Sequence, residues 1–195
     1  MSNLLEMTAG PSTEPLSATQ AKLHLRVDVS TDDTLITALI VAARMHVEAM
    51  TGRCLMLQTW RESISAFSDV IELQKAPLSS VTSVKYIDAD GFEQTASSTT
   101  DYRVMKPVGP HAMRGTIELV YGGDWPTSRD QSDAVRILYV AGYADAASVP
   151  APLIAAMYLL IGDLYQNREA MIVGTITAAN PAVESLLSPF RLVWV

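Results

Sequence analysis

The sequence predicts an α+β fold: a helical bundle core, built from two N-terminal helices and the C-terminal helices, carrying an inserted, mostly antiparallel β domain. Three observations predict it. Apolar residues recur at three- and four-residue spacing at Leu35, Ile36, Leu39, Ile40, Ala43, Val47 and Met50, and again at Leu153, Ile154, Met157, Leu160, Ile161, Leu164 and Tyr165. Between these stretches lie short runs of β-branched and aromatic residues, punctuated by Gly and Pro. Helical spacing does not resume until Pro150.

Residues 1–15, rich in Ser, Thr, Pro and Gly, are expected to form a flexible leader. Residues 16–56 supply the N-terminal helices of the core. Ser17 followed by Gln20 is a capping box, opening a short helix through Leu25. Thr31, Asp32 and Asp33 offer a cap and negative charge to a second helix, and Gly52 is placed to end it in a left-handed conformation. Four alanines in that helix (Ala38, Ala42, Ala43, Ala49) permit close packing, first of all within the chain.

Residues 57–145 read as the inserted β domain. Strands are expected at 58–64, 70–73, 81–87, 92–95, 102–105, 116–120 and 134–140, with a hairpin turn at Asp88-Ala89-Asp90-Gly91. Residues 150–187 supply the C-terminal helices, the last from Pro181 to Leu187 after a Gly/Thr/Ala loop at 174–179. Residues 188–195 form an apolar C-terminal tail.

Composition narrows the function classes. The 195 residues are 49% hydrophobic, so the chain has either a large core or apolar surface to bury against other chains. Net charge is −7, a poor balance for gripping phosphates, though it permits a surface past which DNA slides without sticking. Cys54 is the only cysteine, which excludes an intrachain disulfide. Glu6 stands where a signal peptide carries basic residues. The apolar run Leu153–Gly162 stops at Asp163, after about half the roughly 20 residues a membrane span needs. No membrane partner is expected.

The search for chemistry finds no catalytic, cofactor-binding or metal-binding residues. His24, His46 and His111 are far apart, and His46 with Glu48 does not make the H-E-x-x-H zinc pattern. Asp88-x-Asp90-Gly91 resembles the start of a calcium loop, but Gly91 falls at position 4 and Thr99 at position 12, where that loop needs Gly at 6 and Glu at 12. Phosphate-cradling and nucleophile-elbow glycine motifs are missing from the sequence. Cys54 beside Arg53 reads as an inert helix-end cysteine. A small metal-dependent hydrolase, motivated only by acids near turns such as Asp88, Asp90 and Asp124, is the alternative from a different class. The chain is expected not to be an enzyme.

One terminus stands out instead. Phe190, Arg191, Leu192, Val193, Trp194 and Val195 put four aliphatic or aromatic side chains and a tryptophan around one arginine, where chain ends are ordinarily polar. Either this segment folds back on its own core, or it anchors a partner, since Trp, Phe and Arg are favoured at interface hot spots. These six residues are the candidate partner-binding site.

Short motifs follow one another at Ala21-Lys22-x-His24-Leu25-Arg26-Val27-Asp28, Asp32-Asp33-x-Leu35-Ile36, Thr51-Gly52-Arg53 and Gln58-Thr59-Trp60. Their order resembles the head–tail connector (adaptor) family of tailed bacteriophages and prophages, in its longer members with a β insertion. The resemblance continues through Pro77-Leu78-x-Ser80-Val81, Tyr86-Ile87-Asp88-x-Asp90-Gly91, Asp101-Tyr102-Arg103-Val104, Tyr139-x-Ala141-Gly142-Tyr143, Tyr165-x-Asn167-Arg168 and Ser188-Pro189-Phe190-Arg191. It covers about residues 16–193; each motif is weak alone, and their shared order is specific. The resemblance implies a homo-oligomeric ring of about twelve copies beneath the portal protein, assembled in the bacterial host cytoplasm and placed at the head–tail junction (virion neck). It also implies that the ring extends the DNA channel, with duplex DNA as passing cargo, and docks the next tail component. No cofactors come with it. A tail-completion or stopper protein of the same assembly is the neighbouring alternative.

Overall fold

The computed structural model describes residues 4–167 and 180–192. The fold is α+β, with four α-helices and two antiparallel sheets among those residues. Contacts divide the chain into two compact units: Met1–Ser12 with Leu57–Ala144, and Thr13–Met56 with Asp145–Val195.

The first unit is built on a five-stranded sheet in the order β1 (Leu4–Ala9), β2 (Gln58–Ile64), β8 (Val135–Ala141), β4 (Leu78–Ile87), β5 (Glu93–Thr95). Strand β8 occupies the centre because its alternation is strict: Val135, Ile137, Tyr139 and Ala141 are buried while the residues between them are half-buried. A three-stranded sheet, β3 (Val70–Glu72), β7 (Thr116–Leu119) and β6 (Tyr102–Met105), completes the unit. Every ladder is antiparallel. At Gly115 the chain passes so close to Leu78 that an added Cβ would lie 2.2 Å from its Cδ2, so no other residue fits unless Leu78 moves.

A buried carboxylate ties the loop after β3 to this sheet. Glu62 on β2 is fully buried and accepts from the Gln74 amide (3.1 Å) and the Gln74 side chain (3.2 Å). The Tyr139 hydroxyl lies 3.5 Å from Glu62 and accepts from the Lys75 amide at 3.3 Å. Burying a charge is tolerable only with such partners.

The expectation of a flexible leader over 1–15 is corrected by this sheet. Leu4–Ala9 pair along β2, and Arg61 of β2 holds Glu6 in an ion pair. Composition made the segment look like a leader; the apolar residues Leu4, Leu5 and Met7 within it, and the open edge of β2, make it a strand.

The second unit gathers helices from both chain ends. Helix α1 (Ala18–Leu25) begins with the full capping box, Ser17 and Gln20 each serving the other's amide. Helix α2 (Asp33–Thr51) buries Ile36, Ile40, Ala43 and Val47 and ends at Gly52, φ 75°. Asp32 stands at the N-cap of α2, but its side chain makes no cap bond; it accepts from the Tyr165 hydroxyl on α3 (Ala151–Gln166) instead. Helix α4 (Pro181–Leu187) is capped by Asn180, whose side chain also reaches Asp163 of α3 at 2.9 Å. The loop expected at 174–179 lies outside the described residues.

Within this unit the charges of α2 are spent on its own chain. Arg44 is buried and donates to Glu14 (2.7 Å) and Glu48 (2.8 Å). Burial works against its charge, but the Glu14 hydrogen bond and the two carboxylates outweigh that and hold the guanidinium above its ordinary pKa. The second oxygen of Glu48 takes the Leu55 amide at 2.8 Å. Lys22 of α1 pairs with Asp33 at 2.6 Å.

Candidate functional site

Of the acids and histidines singled out in the sequence, Asp88 and His24 are engaged locally and Asp90, Asp124, His46 and His111 are exposed. One Asp88 oxygen accepts the amides of Asp90 (3.1 Å) and Phe92 (2.9 Å), and the other takes the Gln94 side chain at 2.8 Å. That is a hairpin turn completed by Gly91 at φ 94°. The Gln94 hydrogen bond, followed by the Phe92 amide, holds the Asp88 carboxyl below its ordinary pKa. Asp124 is exposed on a loop. His24 packs against Tyr158, ring centres 4.8 Å apart, whereas His46 and His111 are exposed. Cys54 is buried. Among the described residues no group of three His, Cys, Asp or Glu side chains could hold a metal ion.

The C-terminal candidate site is divided by the structure. A short 3₁₀ turn, Ser188–Phe190, follows α4 directly. Phe190 and Leu192 are buried within the chain itself. Arg191 between them is exposed and pairs with Glu184 of α4 at 2.8 Å. Val193, Trp194 and Val195 lie outside the described residues.

What holds this segment is the C-terminal turn of α2. The Leu192 amide donates to the Thr51 carbonyl at 2.9 Å, taking up one of the carbonyls that a helix end leaves without an intrahelical partner. Arg53, only 2% exposed, donates its Nε to the Phe190 carbonyl at 2.6 Å. An added Cβ on Gly52 would lie 3.5 Å from Leu192, an ordinary contact, so it is the left-handed backbone that calls for glycine here. Sequence reasoning treated Arg53 only as a neighbour of Cys54 and missed this role. The signal available was its place in Thr51-Gly52-Arg53, directly after the helix stop.

Helix α2 offers a second surface. Its outward positions Thr34, Thr37, Ala38, Ala42, Met45, His46 and Ala49 include no Asp, Glu, Lys or Arg. Only Ala43 of the four alanines faces the core, so the expectation of internal close packing fails for Ala38, Ala42 and Ala49, which are exposed. The longest apolar element is therefore α2, not the 153–162 run: it alone among the described residues is long and apolar enough to cross a membrane by length and composition. Its buried row and the Arg44–Glu48 pair at its middle are those of a core helix.

The chain matches the family described as phage gp6-like head–tail connector protein over residues 17–110, from the N-cap of α1 through the loop after β6. That match takes in a little under half of the chain. Solved structures extend the likeness to 98% of the chain. It superposes on a chain from the virion of a native gene transfer agent (GTA) particle with a TM-score of 0.80 and 25% identity, covering 98% of this chain and 97% of that one. A chain from the neck of an empty GTA particle, computed with C6 symmetry, gives 0.79 and 24% over the same shares. One from the neck of a native GTA particle, computed with C12 symmetry, gives 0.72 and 22%, again over those shares. No curated protein matches the chain.

Proposed function

We propose that the chain is a structural head–tail connector of a tailed phage or phage-like particle, acting by holding other components together and not by catalysis. The single observation that carries this is the likeness over 98% of its length to a chain of a GTA virion, which spans both the β unit and the helices. The connector family match supports it independently.

In this reading copies of the chain form a ring at the neck, portal protein lies on one side, the next tail component on the other, and duplex DNA passes through. The cyclic symmetry of the necks that hold similar chains supports the ring. The charge-poor outer face of α2 is suited to lie against other protein, since a solvated helix face ordinarily carries charge. The net charge of −7 suits a conduit that does not grip DNA. The docking segment for portal is the C-terminal end beyond Leu192, with Trp194 as its aromatic anchor and exposed Arg191 beside it.

The test is electron microscopy of the full chain mixed with the purified portal ring of its own particle. A density ring of cyclic symmetry capping the portal is expected. Portal rings that stay bare at saturating chain would sink the proposal.

A further inference from the structure

We infer that the corner between α1 and α2 is a seam between neighbouring copies of the chain: Arg26, with Leu23 and Val29 on either side in sequence, takes up a carboxylate and an apolar side chain of the next copy. The inference rests on the reading of the chain as a ring-forming connector and adds where one copy meets the next.

Three observations fall within residues 23–29. The first is the backbone. Among the described residues Arg26 is the only one other than glycine with positive φ, at φ 57° and ψ 43°. Its amide donates to the Leu23 carbonyl (3.3 Å) and the Val27 amide to the Lys22 carbonyl (3.0 Å), a closure of the helix end that ordinarily takes glycine. A Cβ is strained in this left-handed region, so folding alone would be better served by glycine. The second is charge. Other cations of the helical unit are engaged within the chain, Lys22 with Asp33, Arg44 with Glu14 and Arg191 with Glu184. Among the described residues only the side chains of Arg26 and Arg129 have no hydrogen bond, ion pair or ring contact, and Arg129 Nη1 lies 2.9 Å from where a Cβ on Gly91 would stand. The third is exposure. Leu23 is 81% exposed and Val29 60%, on either side of exposed Arg26. One exposed aliphatic is ordinary, but two beside an unengaged guanidinium on a strained turn have the composition of an interface anchor.

Charge names the occupant. Each copy carries a net charge of −7, so copies brought side by side repel unless a cation stands where they meet. The chain also presents the complement: exposed Asp90 stands two residues from Phe92, 68% exposed, and exposed Asp124 three residues from Tyr121, 99% exposed. Both halves on one chain are what a head-to-tail contact needs in order to close into a ring. Duplex DNA is a poor match for this corner, because phosphate binding draws on clustered cations and nearby Lys22 is held by Asp33.

Full-length chain is titrated onto the purified portal ring of its own particle, and native mass spectrometry counts the copies on each ring. Wild type is expected to fill cooperatively, with bare and complete rings side by side at half saturation. Arg26→Gly removes the guanidinium and relaxes the backbone, so its urea midpoint should match or exceed that of wild type. On portal it should bind its first copy with wild-type affinity, yet favour a neighbour at least about tenfold less. A residue serving only the fold would not lose assembly while keeping or gaining stability. Leu23→Ser, at an exposed site, should show the same loss at unchanged stability, and it decides the matter if Arg26→Gly lowers the midpoint.

Arg26→Gly copies that fill portal as cooperatively as wild type would overturn the seam while leaving the connector reading intact. Wild-type copies that fill portal sites at random would do the same. A variant that loses first-copy affinity would assign the corner to portal, and so overturn the seam as well. Portal rings that stay bare with wild-type chain would remove the connector reading, and the seam with it.

Discussion

The two units of this chain differ in where most of their charges lie. In the β unit most ion pairs lie on the surface, buried Arg114 near Glu72 at 3.6 Å being an exception. Lys85 and Glu93 face each other across β4 and β5 at 2.6 Å, Arg136 reaches Asp133 at 2.6 Å, and Arg103 and Glu118 pair across β6 and β7 at 2.9 Å. In the helical unit charges are scarcer, and two of the arginines, 44 and 53, are buried and reach chain segments remote in sequence. Surface pairs decorate a sheet whose ladder already holds it; buried arginines do what the helices cannot, fastening irregular ends to α2. The difference teaches where a charge is structural: where water cannot replace its partner.

The largest effect expected from this contrast is at Arg44. Arg44→Ala leaves Glu14 and Glu48 half-buried without their cation and should cost about 2–3 kcal/mol, read as a lower urea midpoint. In the β unit the buried hydroxyl of Tyr139 offers the comparison. Tyr139→Phe removes the hydroxyl near Glu62 and the acceptor of the Lys75 amide, and should cost about 1 kcal/mol. A larger loss from Tyr139→Phe than from Arg44→Ala would break the comparison. Arg103→Ala, at an exposed pair, should leave the midpoint unmoved within error.

The smallest and sharpest effect is in titration. Asp133 is held below its ordinary pKa first by the hydrogen bond from Arg136, whereas Glu93 is held down first by Lys85 and only lastly by Arg136. Arg136→Ala should therefore raise the Asp133 carboxyl clearly and Glu93 less, followed by carboxyl NMR across pH 2 to 6, roughly the range bracketing free carboxyls. The sign for stability follows from the depressed folded values. These groups stabilise the fold above the ordinary carboxylate range, and that contribution is lost as pH falls through their lower folded values. The β unit's surface should thus tire in acid before neutral pH matters at all.

Local signals in this sequence translated well into local structure. Ser17 and Gln20 close the capping box they spell, Gly52 stops α2 in the left-handed region, and Asp88 with Gly91 makes the hairpin turn. Each of these depends on residues within a few positions of one another, so spacing alone carries the information. The strand β1 was hidden because its evidence is nonlocal: it exists by pairing with residues 50 or more positions away. Asp32 was read as a helix cap for the same reason in reverse, since Tyr165 on another helix competes for its carboxylate. For Phe190 and Leu192 the sequence left open a fold back on the core or an anchor, and α2 supplies the turn beside which they are buried.

By itself, then, the sequence determined the class of fold, the helix stops and turns, and through the order of its motifs a resemblance to the connector family. Those are properties of periodicity, of capping groups and of glycine backbone freedom, all set within a turn or two of chain. Only the tertiary structure decided that β8 lies at the centre of the sheet, that three alanines of α2 face outward, and that Arg53 grips the C-terminal segment. A buried guanidinium finds its carbonyl wherever packing brings one within reach, and for Arg53 that carbonyl belongs to a residue at the far end of the sequence.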